Sequence, residues 1–219
     1  MTRDTLTRDQ IVKAAIELLD DEGLDGFSMR TLGKRLGSAA TAVYWHVGSK
    51  DNLVALASDR VWEEIALPDL AGTDWRTATT RMATDLHATL IRHSWLVQAF
   101  SSLVTYGAGK ARYDEHTLAI YETAGFTDAR ADRAAAAVLT YVLGNALGPA
   151  AEVSLTRKLG PDGDARLSDS MAKAREVAAE FPRLRTRLDS TAAAEYGAAA
   201  ENSFEFGLEA LLDGLENRR

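Results

Sequence analysis

The chain of 219 residues contains no cysteine. That absence removes disulfides, thiol nucleophiles and thiolate metal sites, and with them any sign of an oxidising compartment. No run approaches the roughly eighteen apolar residues of a membrane span, and MTRDTLTRDQ at the start lacks the apolar stretch of a secretory signal. The reading is a cytoplasmic protein with no membrane partner. Histidine is confined to His46, His87, His93 and His116, with no two at zinc spacing. There is no glycine-rich phosphate loop and no GxSxG elbow, so the sequence offers no metal site, no cofactor and no enzyme signature. Proline is scarce, four residues in all, which makes Pro68 in LPDLAGTD a strong break. One further absence is local. From Gly26 to Lys50 there is no acidic residue but four basic ones, Arg30, Lys34, Arg35 and Lys50, a balance of +4 in a chain whose net charge is −7. A small basic face on an acidic body suits an anionic partner.

What is present reads as helix throughout. Thr7 and Gln10 form a capping box, with Leu6 and Ile11 as a hydrophobic staple, and the periodic segment that follows stops at Gly23. Ser28 caps a second, short helix closed by Gly37. A third is expected over about Ala39–His46, with Val43 and Val47 turned inward, and a fourth over Lys50–Leu67. Beyond LPDLAGTD, helices are expected from Asp74 to about His93, through WLVQAFSSLVTY, from a loop near GAG to a stop at Gly125, and along one long segment to RKL with a kink at Pro149. LGPDGD reads as a loop, SDSMAKAREVAAEF as a helix, and TAAAEYGAAAENSFEFGLEALLDGLE as the last. No strand-like alternation and no internal repeat occurs. The fold class is all-α. Residues 1–49 form a three-helix head, 50–67 a connecting helix, and 68–219 a larger helical body.

The head contains the chemistry. TAVYWHVGSK puts Tyr44, Trp45 and His46 side by side, and residues 100° apart on a helix cannot all face one core. Two short helices joined by GSAA form a helix-turn-helix, whose second helix enters a major groove of double-stranded DNA. Ala40, Thr41 and Ala42 are small enough to approach base edges. Tyr44 and Trp45 suit sugar, methyl and phosphate, His46 and Lys50 suit phosphate, and Arg30 reaches in from the neighbouring helix. The competing view, a compact three-helix domain with rings packed on one another, leaves the acid-free window unexplained.

GLDGFSMRTLGKRLG followed by TAVYWHVGSKDNLV resembles the N-terminal domain of the tetracycline-repressor (TetR) family of transcriptional regulators, over Thr7 to about Asp59. The resemblance assigns DNA contacts to Arg30, Ala40, Thr41, Ala42, Tyr44, Trp45, His46 and Lys50. It continues more weakly past Trp75. AVLTYVLGNALG and ENSFEFGLEALLDGLE look like the two helices that, in the tetracycline-repressor subgroup, pair with their twins in a homodimer. The implied interface residues are Ala131, Ala134, Ala135, Val138, Phe204, Leu208, Leu211, Leu212 and Leu215; periodicity alone would equally make them core. The family's body also encloses a pocket for a small-molecule effector, with Met82, Leu86, Trp95, Phe100, Leu103, Tyr141 and Asn145 as candidate lining. Phe100 and Thr140 stand where the subgroup has metal-binding histidines, Gly148 where it has a glutamate, and Met82 where it has a drug-binding amide. Leu86 replaces a phenylalanine of that site. A magnesium–tetracycline complex is therefore not the expected effector. Two other readings remain open: a DNA-binding dimer without an effector, controlled by a protein partner or by abundance, and a helical interaction protein that binds no DNA.

Overall fold

The computed structural model describes residues 6–159, 163–189 and 196–218. Among them there is no strand. Residues 160–162 of the loop expected at LGPDGD and the start of the last helix at TAAAE lie outside the described residues, while Leu159, Gly163 and Asp164 of that expected loop are helical. Two compact units are present, one ending at Ala151 and one running from Glu152 to Arg218.

The first unit opens with α1 (Arg8–Gly26), which begins where the capping box places it: the Thr7 hydroxyl accepts from the Gln10 amide, and the Gln10 side chain accepts from the Thr7 amide. Gly23 interrupts the helix with a positive φ of 68°, and one further turn follows to Gly26. Helix α2 (Met29–Arg35) is capped by Ser28, and α3 (Ala40–Val47) starts after Ala39 with no side-chain cap. Helix α4 (Lys50–Trp62) is capped by Ser49. Ile11, Ala15, Leu19, Leu32, Val43, Leu53 and Val54 are fully buried and make the core of the head.

Helix α4 is shorter than expected, ending at Trp62 rather than Leu67. The amides of Glu63 and Glu64 tighten onto the carbonyls of Arg60 and Val61, and the buried Ile65 is drawn inward. Pro68 also disfavours helix at Leu67. The Ala66 amide instead donates to Asp85 at 2.7 Å.

Helix α5 (Trp75–Arg92) starts at Asp74, whose carboxylate accepts from the Thr77 amide at 3.0 Å. Hydrogen bonds from the Thr77 hydroxyl and then from its amide hold the Asp74 carboxyl below its ordinary range. Helix α6 (Trp95–Ser102) stops four residues before the end of the apolar segment, and leaves Val104 and Tyr106 exposed. Helix α7 (Ala108–Thr123) takes in most of the GAG expected as loop, and ends before Gly125 at φ 90°. Asp59 of α4 makes this start possible, since its carboxylate accepts from the Lys110 amide at 3.1 Å. Gly107 and Gly109 lie against Asp59 so closely that a Cβ on either would collide with it.

Helix α8 (Ala129–Leu159) keeps Pro149 inside. Its 31 residues include a stretch of mean hydropathy 1.4, long and apolar enough by composition to cross a membrane, which corrects the expectation that no segment would be. The buried residues Ala131, Ala134, Val138, Val142, Ala146 and Ala150 recur every three or four positions, the stripe of a core helix. In the second unit, the helix expected over SDSMAKAREVAAEF is α9 (Gly163–Ala179), and a further short helix that was not expected, α10 (Pro182–Leu188), follows it and packs on it. The break follows from Pro182, which favours extended backbone at Phe181 and starts a new helix well. Helix α11 (Tyr196–Glu216) buries Phe204, Leu208 and Leu212 at four-residue spacing.

Candidate DNA-binding interface and ligand pocket

Helix α3 is anchored by two side chains only, Val43 and Val47, both buried. The angular spacing of a helix then turns the rest outward. Thr41 is exposed, Ala40, Ala42 and His46 are half-buried, Tyr44 is 45% exposed and Trp45 is 83% exposed. Trp45 stands edge-on to His46, with ring centroids 4.9 Å apart and planes at 89°. A tryptophan so exposed has no structural role inside the head, and leaving it in water is costly unless a partner covers it. Arg30, on α2, is exposed.

The turn before α3 depends on Gly33. Its position for a Cβ lies 2.9 Å from the Ser38 carbonyl oxygen and 3.1 Å from the Ala40 nitrogen, both backbone atoms. Only a residue without a side chain lets α2 and the N-terminus of α3 approach this closely. That N-terminus has no side-chain cap, so its first amides and the positive end of the helix dipole are presented outward. Gly48, at φ 75°, then closes the helix.

Two of the four basic residues counted in the sequence are spent inside the head. Arg35 pairs with Asp21 at 2.6 Å and Glu17 at 3.4 Å. Lys50, expected to hold phosphate, donates to the Phe27 carbonyl at 2.7 Å and the Leu24 carbonyl at 3.4 Å, and its ammonium lies 5.6 Å from the centre of the Phe27 ring. It sits at the end of α1, where uncapped carbonyls attract a cation. Its neighbour in sequence gave no hint of this, because the partner carbonyls lie 23 and 26 positions away. Among the described residues, Arg30 and Lys34 form no ion pair and carry the positive charge of this face.

The candidate pocket residues are carried by α5, α6 with its C-cap Leu103, and α8. Met82 and Leu86 are buried core on α5. Trp95 is also buried, but its indole N–H donates to Asp20 of α1 at 2.8 Å, which makes it part of the joint to the head. Asn145 spends its amide on the Tyr141 carbonyl, 2.9 Å away on the same helix, and both are half-buried with Leu103. Phe100 joins a cluster of rings: its centroid lies 5.8 Å from that of Trp62, which in turn lies 4.9 Å from Tyr113. The Lys110 ammonium sits 4.9 Å from the Trp62 ring and pairs with Asp114. Within this group the Trp62 indole N–H is buried without a hydrogen-bond partner, and so is Nε2 of His116, one turn beyond Tyr113 on α7. Burial pushes the Tyr113 phenol well above its ordinary range, and pushes Tyr121 up to about 12, so both stay as neutral hydroxyls. Sequence reasoning missed Trp62, Tyr113 and His116; a tryptophan on the apolar side at the last turn of the connecting helix was the available signal. A separate cleft of about 220 Å³ is lined by Leu70, Thr73, Asp74, Trp75, Ile120, Thr123 and Ala124, and includes none of the seven candidates.

Of the nine residues assigned to a dimer interface, Ala131, Ala134, Val138, Phe204, Leu208 and Leu212 are buried within the single chain, while Ala135, Leu211 and Leu215 are half-exposed. The alternative left open by periodicity, a core stripe, describes those six. The large apolar groups that remain outside on α8 and α11, among the described residues, are Leu147, Val153, Leu155 and Phe206, of which Leu147 and Phe206 are the most exposed at 57% and 77%.

A three-helix head whose third helix exposes a threonine, a tyrosine and a tryptophan, followed by an all-helical body, defines a helix-turn-helix regulator. Residues 11–57 match the family described as bacterial regulatory proteins, tetR family, and residues 67–219 match the tetracyclin repressor-like C-terminal domain. The chain belongs to the TetR family of transcriptional regulators. It is 39% identical over 144 residues to an HTH-type transcriptional regulator of Saccharopolyspora erythraea, a match spanning 66% of this chain and 61% of that one. It is 31% identical to the HTH-type transcriptional repressor DrrR1 of Streptomyces coeruleorubidus, covering 98% of this chain and 78% of the relative. Among solved structures, the TetR family protein ActR of Streptomyces coelicolor, in complex with actinorhodin, superposes with a TM-score of 0.75 at 27% identity, covering 97% and 96% of the two chains. These relatives are named as regulators and repressors, a class of DNA-binding proteins rather than enzymes.

Proposed function

We propose that the chain is a ligand-responsive homodimeric repressor acting in the cytoplasm on a palindromic operator. The observation that carries the DNA reading is α3, rooted by Val43 and Val47 and presenting Thr41, Tyr44 and Trp45 to solvent. One such helix reads few bases, and two related by a two-fold axis read two half-sites about one helical turn or more apart. Thr41 and Ala42 face base edges, Tyr44, Trp45 and His46 brace the sugar–phosphate backbone, and Arg30 supplies charge. Lys50 holds the head together from behind instead of touching phosphate. The head and the connecting helix, with the break at residues 68–74, form the DNA-binding part, and the remainder forms the effector and pairing part.

The effector is proposed to enter beside Trp62, Phe100 and Tyr113, with the Trp62 indole donating to an acceptor oxygen on it and His116 as a second polar contact. A flat, largely apolar molecule carrying carbonyl or phenolic oxygen fits such a set. The solved complex of ActR with actinorhodin supports an organic effector in a relative of this architecture. Because Trp62 is the last residue of α4, a ligand there works directly on the helix that carries the head. To release DNA it must prefer the released state, by about 1–3 kcal/mol or more.

Mobility shift on DNA upstream of the gene, followed by titration of actinorhodin and other aromatic oxygenated compounds into the complex, is the test. Retarded DNA freed by one of them supports the whole reading. Retardation that no compound reverses, with no quenching of tryptophan fluorescence, would leave the effector-free dimer as the better account.

A further inference from the structure

His93 closes α5 and is buried, 5% exposed, at a place where three other elements meet. From α1, Asp20 Oδ1 lies 2.8 Å from Nδ1. From the turn that ends α4, Glu64 Oε2 lies 3.2 Å from Nε2. On its own helix, Arg92 reaches both neighbours: Nη2 donates to Glu64 at 3.1 Å, and Nε lies 3.3 Å from His93 Nε2. From α6, Trp95 donates to the same Asp20 oxygen that faces the imidazole. The ionisable groups around the ring are thus Asp20, Glu64 and Arg92.

The two contacts at Nε2 exclude each other. If the ring is neutral with its proton on Nδ1, Nε2 has a lone pair that accepts from Arg92 and repels the Glu64 carboxylate. If the ring is protonated, Nε2–H donates to Glu64, both nitrogens face carboxylate oxygens as donors, and the link from α1 to the end of α4 runs unbroken through one imidazolium. Charge favours the second arrangement, because two carboxylates meet a single fixed cation when the ring is neutral. We infer that His93 is a proton-operated joint, which ties α1 and the end of α4 to the start of the body when protonated and loosens them when it is not. This rests on the reading of the chain as a DNA-binding regulator only for its effect on operator binding; the joint itself does not.

Burial pulls the imidazole pKa down, but the bonds and charges of Asp20 and Glu64 outweigh that and hold it above its ordinary 6.5. A raised folded pKa contributes stability that is complete below 6.5 and is lost as pH rises through the folded value. The working range therefore starts at neutral pH and extends upward.

Carbon-13 labelled histidine in the intact protein gives the test. The His93 resonance is expected to titrate above 6.5 and to move down in Glu64→Gln. A midpoint at or below 6.5, or one that Glu64→Gln leaves in place, overturns the joint. From pH 6 to pH 8 the wild type is expected to lose thermal stability that His93→Gln does not lose; parallel profiles overturn it too. Operator affinity is then expected to fall with pH by up to about tenfold per unit for each protomer, the limit for one linked proton, and the slope is expected to vanish in His93→Gln. An equal slope in both proteins removes the control of DNA binding. Absence of operator binding at every pH removes the regulator reading and leaves the histidine titration to decide the joint.

Discussion

At the scale of single residues, exposure separates function from support. Trp45 contributes almost nothing to the fold, so Trp45→Ala is expected to leave the melting temperature within about a degree while weakening operator binding by roughly tenfold or more, as loss of an interface aromatic does. Mobility shift and calorimetry on the same sample check both halves. Thr41→Ala and Ala42→Ser are expected to change which operator is preferred, by about 1–3 kcal/mol at the base pair each faces; a binding selection from random sites would expose a uniform loss instead. Lys50→Met behaves in the opposite way to Trp45→Ala. Its ammonium satisfies two carbonyls of the head, so the substitution is expected to cost about 1–3 kcal/mol of stability and to leave the salt dependence of operator binding unchanged. A salt slope reduced by about 1 would restore Lys50 to the phosphate.

At the scale of elements, the signals that the sequence carried plainly were local ones. Thr7, Ser28, Ser49 and Asp74 cap helices because each needs only an amide three residues away. The ends that were misplaced depend on distant partners. Helix α4 stops at Trp62 where Ala66 turns to Asp85, and α7 starts at Ala108 because Asp59 receives its amide. The partners of Trp95 and Lys50 were unreadable for the same reason, since they lie far away in the chain. In the head the outward face of α3 was readable because Tyr44, Trp45 and His46 cannot share one core; in the body, pocket and core residues share one apolar pattern and could not be told apart. Gly109→Ala tests the α4–α7 contact. Its Cβ would meet the Asp59 backbone, and the substitution is expected to cost about 1–3 kcal/mol and to blunt release of DNA by effector, read from a denaturant melt and an effector titration.

At the scale of the whole molecule, exposed apolar surface argues for assembly. Leu147 and Phe206 project from the open sides of helices that each bury one apolar stripe. If those faces pair with a second copy, Leu147→Glu and Phe206→Glu are each expected to shift sedimentation from dimer to monomer and to reduce operator affinity by far more than either position could through contact with DNA. Unchanged sedimentation in both variants would move the pairing surface elsewhere. The acidic balance of the rest of the chain fits this arrangement, since it confines favourable approach of DNA to the small basic face of each head.

Gly33 has a consequence for how such a regulator diversifies. The seat of α3 is set by backbone against backbone at Gly33 and by two valines, so the outward positions are mechanically independent of the fold that holds them. If α3 meets base edges as proposed, exposed Thr41 is an exchangeable key in a fixed lock body: replacing it is expected to retarget the protein to another operator with little change in stability, whereas one added methyl group at Gly33 would misalign the whole helix at once.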